Sequence, residues 1–72
     1  MLFRSAEAYS NRGITLNLLK RYADALASFD RAISLRPDFA EACYNKGNTL
    51  QDLQRLEEAL DSYDRADRKS VV

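Results

Sequence analysis

The chain has 72 residues, with 11 lysines and arginines balanced by 11 aspartates and glutamates for a net charge of zero. That length holds one small domain, and the balanced charge carries no electrostatic footprint for nucleic acid or for an anionic membrane. Hydrophobic residues at 46% and charged residues at 31% fit a soluble helical protein with a modest core. No apolar run approaches the roughly 20 residues of a membrane helix, and none opens the chain as a secretory signal. The single cysteine forms no intrachain disulfide and fits a reducing compartment, so a cytoplasmic location is expected.

Apolar residues recur at helical spacing throughout. The first predicted helix spans about 6–19, with Tyr9, Gly13, Leu16 and Leu19 on one face. Lys20 and Arg21 stand at its end, where cations complement the negative pole. A second helix follows over about 22–35, with a broader stripe of Tyr22, Ala25, Leu26, Phe29, Ala32 and Ile33 and with Asp24 in its first turn. Pro37 ends it and pushes Arg36 away from helical angles. Asp38 is then expected to cap a third helix over about 40–53, with Glu41 as its capping-box partner. A fourth helix spans about 56–68, with Glu57 and Glu58 in its first turn. No segment alternates with the period of two that a strand needs.

These four helices are two copies of one unit. Shifting the chain by 34 residues superposes Ala6-Glu7-Ala8 on Ala40-Glu41-Ala42, Asn11 on Asn45, Gly13 on Gly47, Thr15 on Thr49 and Leu16 on Leu50. It likewise pairs Leu19 with Leu53, Arg21 with Arg55, Ala25-Leu26 with Ala59-Leu60, Ser28 with Ser62 and Asp30-Arg31-Ala32 with Asp64-Arg65-Ala66. Phe29 against Tyr63 is a conservative exchange. Fifteen identities compare with about two expected from ordinary composition. The small residues Gly13, Ala25, Gly47 and Ala59 let paired helices approach closely.

A helix–turn–helix unit of this period resembles the tetratricopeptide repeat. Tyr9, Gly13 and Leu16 match its first helix, Ala25, Phe29 and Ala32 its second, and Pro37 its closing proline. The second unit keeps Gly47, Leu50, Ala59, Tyr63 and Ala66, while Cys43 replaces the usual aromatic and implies looser packing there. The resemblance covers 6–66 and implies an all-α fold of two stacked antiparallel helical pairs, an α-solenoid fragment. It assigns 6–39 to a first repeat and 40–66 to a truncated second one.

The ends fall outside this pattern. Asp67 stands where the family places an apolar residue, and Val71 stands at the proline position. Asp67-Arg68-Lys69-Ser70-Val71-Val72 and Met1-Leu2-Phe3-Arg4-Ser5 both read as translations of sequencing-adapter DNA. Residues 1–5 and 67–72 are therefore expected to be a non-native leader and tail around a slice of a longer array. The alternative is an ordinary small protein with unpatterned ends. A slice leaves the face near Leu60 and Tyr63 partly bare, because each repeat normally buries a face against the next.

The resemblance also implies where a partner binds. The first helix of each pair lines the concave side of a solenoid, where the family holds an extended or helical peptide. In this chain those positions are Glu7, Ser10, Asn11, Ile14, Asn17 and Leu18, with counterparts Glu41, Tyr44, Asn45, Asn48, Gln51 and Asp52. Asn11 and Asn45 resemble the asparagine ladder of the protein O-linked N-acetylglucosamine transferases, in which each amide pairs with peptide backbone. The other reading is that each asparagine bonds the neighbouring repeat and sets the stacking. The basic clamp by which chaperone-binding relatives grip a terminal carboxylate is not expected. Its positions hold Ser10, Ile14, Tyr44 and Asn48, and the nearest bases, Arg12 and Lys46, lie off those positions.

Catalytic chemistry has no candidate centre. The chain contains no histidine to activate Cys43, which reads as a small core residue. Glu57 and Glu58 suit a helix N-terminus better than a cation site. Metal-ligand spacing and a phosphate-cradling glycine loop are both missing, so no enzyme activity, metal or cofactor is expected. The expected partner is a protein or peptide, with neither nucleic acid nor membrane involved. Two alternatives stand beside it: a substrate-recruiting segment of a larger enzyme such as a glycosyltransferase, and self-association through uncapped helix faces.

Overall fold

The computed structural model describes the backbone of residues 2–70 and the side chains of residues 5–67. Four helices follow in order: α1 Leu2–Leu18, α2 Tyr22–Leu35, α3 Ala40–Asp52 and α4 Leu56–Ser70. No strand occurs among the described residues. α1 packs on α2, α3 on α4, and α2 on α3, so two helical pairs are stacked through their middle helices. Short connections at 19–21, 36–39 and 53–55 make each successive pair antiparallel.

Each pair closes on a glycine and an aromatic ring. A Cβ added at Gly13 would come within 2.6 Å of the Phe29 ring, and one at Gly47 within 2.6 Å of the Tyr63 ring. The glycines are therefore required by close approach, since any side chain would collide with the ring of the facing helix. Phe29 is 1% exposed and is flanked by the fully buried Ala25 and Ala32. Ala32 joins Ala6, Phe39 and Ala42 in a cluster that spans the two pairs, with Tyr9, Ile33 and Leu35 packed against it. This cluster is the apolar joint between the repeats, and each methyl or ring removed from water there favours stacking.

Both turns inside the pairs use the same device. Lys20 and Gln54 adopt φ of 64°, the left-handed conformation that ends many helices. The Lys20 amide donates to the Asn17 carbonyl and the Arg21 amide to the Leu16 carbonyl, each at 2.9 Å. The Gln54 and Arg55 amides donate to Gln51 and Leu50 in the same pattern, again at 2.9 Å. This double closure satisfies carbonyls that the helix end would otherwise leave unpaired. Immediately afterwards Arg21 pairs with Asp24 at 3.0 Å and Arg55 with Glu58 at 2.6 Å. The repeat thus preserves the turn, the ion pair and their spacing together.

Several details depart from the expectations above. α1 begins at Leu2 rather than near residue 6, and α4 reaches Ser70, so the backbone on both sides of the repeat pattern stays helical. Of the expected leader and tail, residues 1, 71 and 72 and the side chains of 1–4 and 68–72 lie outside the described residues. α1 stops at Leu18 and α3 at Asp52, one residue early in each case. Leu19 therefore sits in the turn and is 63% exposed rather than part of the core face. Asp38 does not cap α3. The N-cap is Phe39, and it makes no side-chain cap bond. A turn closed by the Phe39 amide donating to the Arg36 carbonyl at 3.0 Å holds Asp38 one residue too early, where its carboxylate faces Arg36 at 3.6 Å.

Candidate functional site

The first helices of the two pairs, α1 and α3, carry the surface on which a partner is expected. Between them lies a cleft of 370 Å³ lined by Glu7, Ser10 and Asn11 of α1, Glu41 of α3, and Arg36 and Phe39 of the connecting turn. Four of the predicted site residues thus meet in one concavity. Arg36 and Phe39 were not foreseen as part of it. Pro37 signals a turn at this point, but periodicity does not show that the turn folds back beneath the cleft. Phe39 is buried, and the Arg36 guanidinium lies 4.9 Å from the centre of its ring. That stacking fixes both side chains at one end of the cleft.

Ser10 lies on the floor of this cleft rather than on its open wall. It is 2% exposed, and its Oγ is buried without a hydrogen-bond partner. A buried hydroxyl left in that state is costly. Asn11, one residue on, is exposed. Its carbonyl accepts the Thr15 hydroxyl at 3.2 Å, while its carboxamide makes no hydrogen bond among the described residues. Asn45, at the equivalent position of α3, is half-buried. Its carbonyl lies 3.2 Å from the Thr49 hydroxyl, whose single proton is shared with a nearer acceptor on α1, and its carboxamide is likewise unbonded among the described residues.

The remaining predicted residues divide into two groups. Asn17, Asn48 and Gln51 are held by the fold. The Thr49 hydroxyl donates to Asn17 Oδ1 at 3.0 Å, which ties α3 to α1. The Tyr63 hydroxyl donates to Asn48 Oδ1 at 2.6 Å and lies 3.0 Å from Gln51 Oε1. One phenol carries one proton, so Asn48 Oδ1, the nearer acceptor, takes the stronger share and Gln51 Oε1 the weaker one. Burial raises the Tyr63 pKa, and the neighbouring Tyr44 and Asp52 raise it further, so the phenol stays protonated as a donor. Ile14 has no polar side-chain atom, and Tyr44 makes no side-chain hydrogen bond among the described residues. Ile14 is half-buried, and Tyr44 is 54% exposed with its ring centre 5.4 Å from that of Tyr63. Tyr44 and Glu41 line a second, shallower cleft with Tyr63, Ala66 and Asp67.

Cys43 is buried, and burial raises its thiol pKa against the opposing fields of Arg65 and Lys46. A raised pKa means less thiolate at neutral pH and a weaker nucleophile. No group of three or more metal-ligating side chains clusters among the described residues. No helix among the described residues is long and apolar enough to cross a membrane.

Comparison with known proteins bears on what such a surface does. The family model of the tetratricopeptide repeat matches residues 6–39 and again 40–66. Two tandem repeats are thus matched. No curated protein matches the chain as a relative. Repeats of this family generally mediate protein–protein interaction and are typically non-catalytic.

Proposed function

The chain belongs to the tetratricopeptide repeat family, and from that premise we propose that it binds an extended segment of another protein along the surface of α1 and α3. The observation that carries this reading is the contrast among its asparagines. Asn17 and Asn48 are engaged by Thr49 and Tyr63. Asn11 and Asn45 sit at equivalent positions on the two first helices with carboxamides left unbonded among the described residues. A carboxamide presents a donor and an acceptor side by side, which matches the N–H and C=O of a peptide backbone. Two of them at one repeat spacing read backbone rather than side-chain identity.

The cleft beside Asn11 adds a preference. Glu7 and Glu41 flank it, and carboxylates on the wall favour a segment bearing lysine or arginine there. An extended segment suits this cleft better than a folded surface, because only a narrow chain enters a concavity of 370 Å³.

The test is to select binders from a random peptide library on the immobilised chain and to map the best one by amide chemical shifts. The expected footprint falls on Glu7, Asn11, Glu41 and Asn45. A library that yields no binder, or a footprint centred on α2 and α4, overturns the reading.

A further inference from the structure

Positions that the repeat makes equivalent differ sharply in burial, and the differences outline one interface twice. Ala42 and Thr49 of α3 are fully buried against the first repeat, and Lys46 between them is half-buried. Their equivalents on α1, namely Ala8, Arg12 and Thr15, are all exposed. On the receiving side, Asn17 accepts from Thr49 at 3.0 Å, and Asp30 pairs with Lys46 at 2.6 Å. The equivalents of those two acceptors are Gln51 and Asp64, and both are exposed on the second repeat. Arg12 therefore stands open at one end of the molecule and Asp64 at the other, while Thr15 rests on the Asn11 carbonyl and Gln51 on the Tyr63 hydroxyl.

We propose that a second copy of this chain docks head to tail, laying its α1 on the α3–α4 end of the first. Arg12 of the second copy pairs with Asp64 of the first, as Lys46 pairs with Asp30 inside the chain. Thr15 of the second copy donates to Gln51 of the first, as Thr49 donates to Asn17. The internal joint is the template, and charge complementarity selects the copy over an arbitrary apolar partner. Tyr44 adds exposed aromatic surface at the position where Ser10 is covered. Asp67 replaces the packed Ile33, so the contact between copies is weaker than the covalent joint. A head-to-tail contact is heterologous and need not close, so it builds an open series of oligomers.

Charge exchange tests this with the whole chain. Sedimentation of the wild type should show average mass rising with concentration through more than one oligomer. Asp64→Arg alone sets a second positive charge against Arg12, and Arg12→Glu alone sets a second negative charge against Asp64. Each is expected to weaken association about tenfold. Both sites are exposed, and circular dichroism confirms that helix content is unchanged. An equimolar mixture of the two variants allows the new glutamate of one to meet the new arginine of the other and should restore the wild-type strength of association, which neither variant reaches alone. The proposal is overturned by a wild type that stays a single monomeric species, which leaves the face to another partner. It is equally overturned by a closed dimer, or by variants that associate as the wild type does. Because neither residue lines the α1–α3 cleft, peptide selection on the monomer judges the proposed function separately.

Discussion

The two repeats are nearly the same machine in different surroundings. Both place an aromatic ring on a glycine at the same distance, both end their first helix on a left-handed residue, and both open their second helix with an arginine–carboxylate pair. They differ in what lies beyond them. The first repeat is covered by α3, and Phe29 and Ser10 are buried. The second repeat has no such cover among the described residues, so Tyr63 is half-buried and Tyr44 and Leu60 are 54% and 64% exposed. The shared features are local and follow from short-range sequence. The differing ones are set by the neighbour, as expected where each repeat contacts only the next.

The glycines give the largest expected contrast between the halves. Gly13→Ala gains helix propensity but drives a methyl into a ring held on every side. Overpacking of that kind costs about 1–3 kcal/mol against a gain of about 1 kcal/mol, so a net loss is expected. Gly47→Ala meets Tyr63, whose ring reaches solvent and whose partners are the half-buried Asn48 and the exposed Gln51. It should change stability by less than about 1 kcal/mol. Thermal unfolding followed by circular dichroism measures both. Equal losses would mean that the second repeat is packed as tightly as the first.

The left-handed turn residues sharpen the comparison from the other side, since there the halves should agree. Lys20→Gly and Gln54→Gly remove the clash between Cβ and backbone that a positive φ imposes. Each should stabilise by about 1 kcal/mol. Similar gains at both sites would show that the turns are equivalent local structures. A gain confined to one site would tie the turn to its surroundings instead.

The sequence made the repeat legible, and with it most of the fold. The spacing of Gly13 and Phe29 announces a close helix pair, and Pro37 marks the joint between pairs. α2 lies where its apolar stripe places it. What could not be read is how ends and turns compete. Asp38 has the right chemistry for a cap, but the turn through Pro37 puts Phe39 at the N-cap and leaves Asp38 to Arg36. Leu19 continues the apolar period of α1, yet the double closure through Lys20 and Arg21 stops the helix before it. Of the residues that line the cleft, Glu7, Ser10, Asn11 and Glu41 were expected there from the family resemblance. Arg36 and Phe39 were not, because a loop that folds beneath a groove has no periodic signature. Nor does periodicity distinguish Asn11 from Asn17. Only the Thr49 hydroxyl, 32 residues away in sequence, separates an asparagine spent on stacking from one left open.

That distinction is the central claim, and Asn11→Ala combined with Asn45→Ala tests it most directly. Neither carboxamide bonds among the described residues, so the double variant should keep wild-type helix content and unfolding temperature. Its affinity for the selected peptide should fall at least about tenfold, as expected when the backbone-pairing hydrogen bonds are removed. A variant that unfolds early would show that these side chains serve the repeat joint. One that stays folded and binds the peptide as tightly as wild type would contradict the asparagine reading outright.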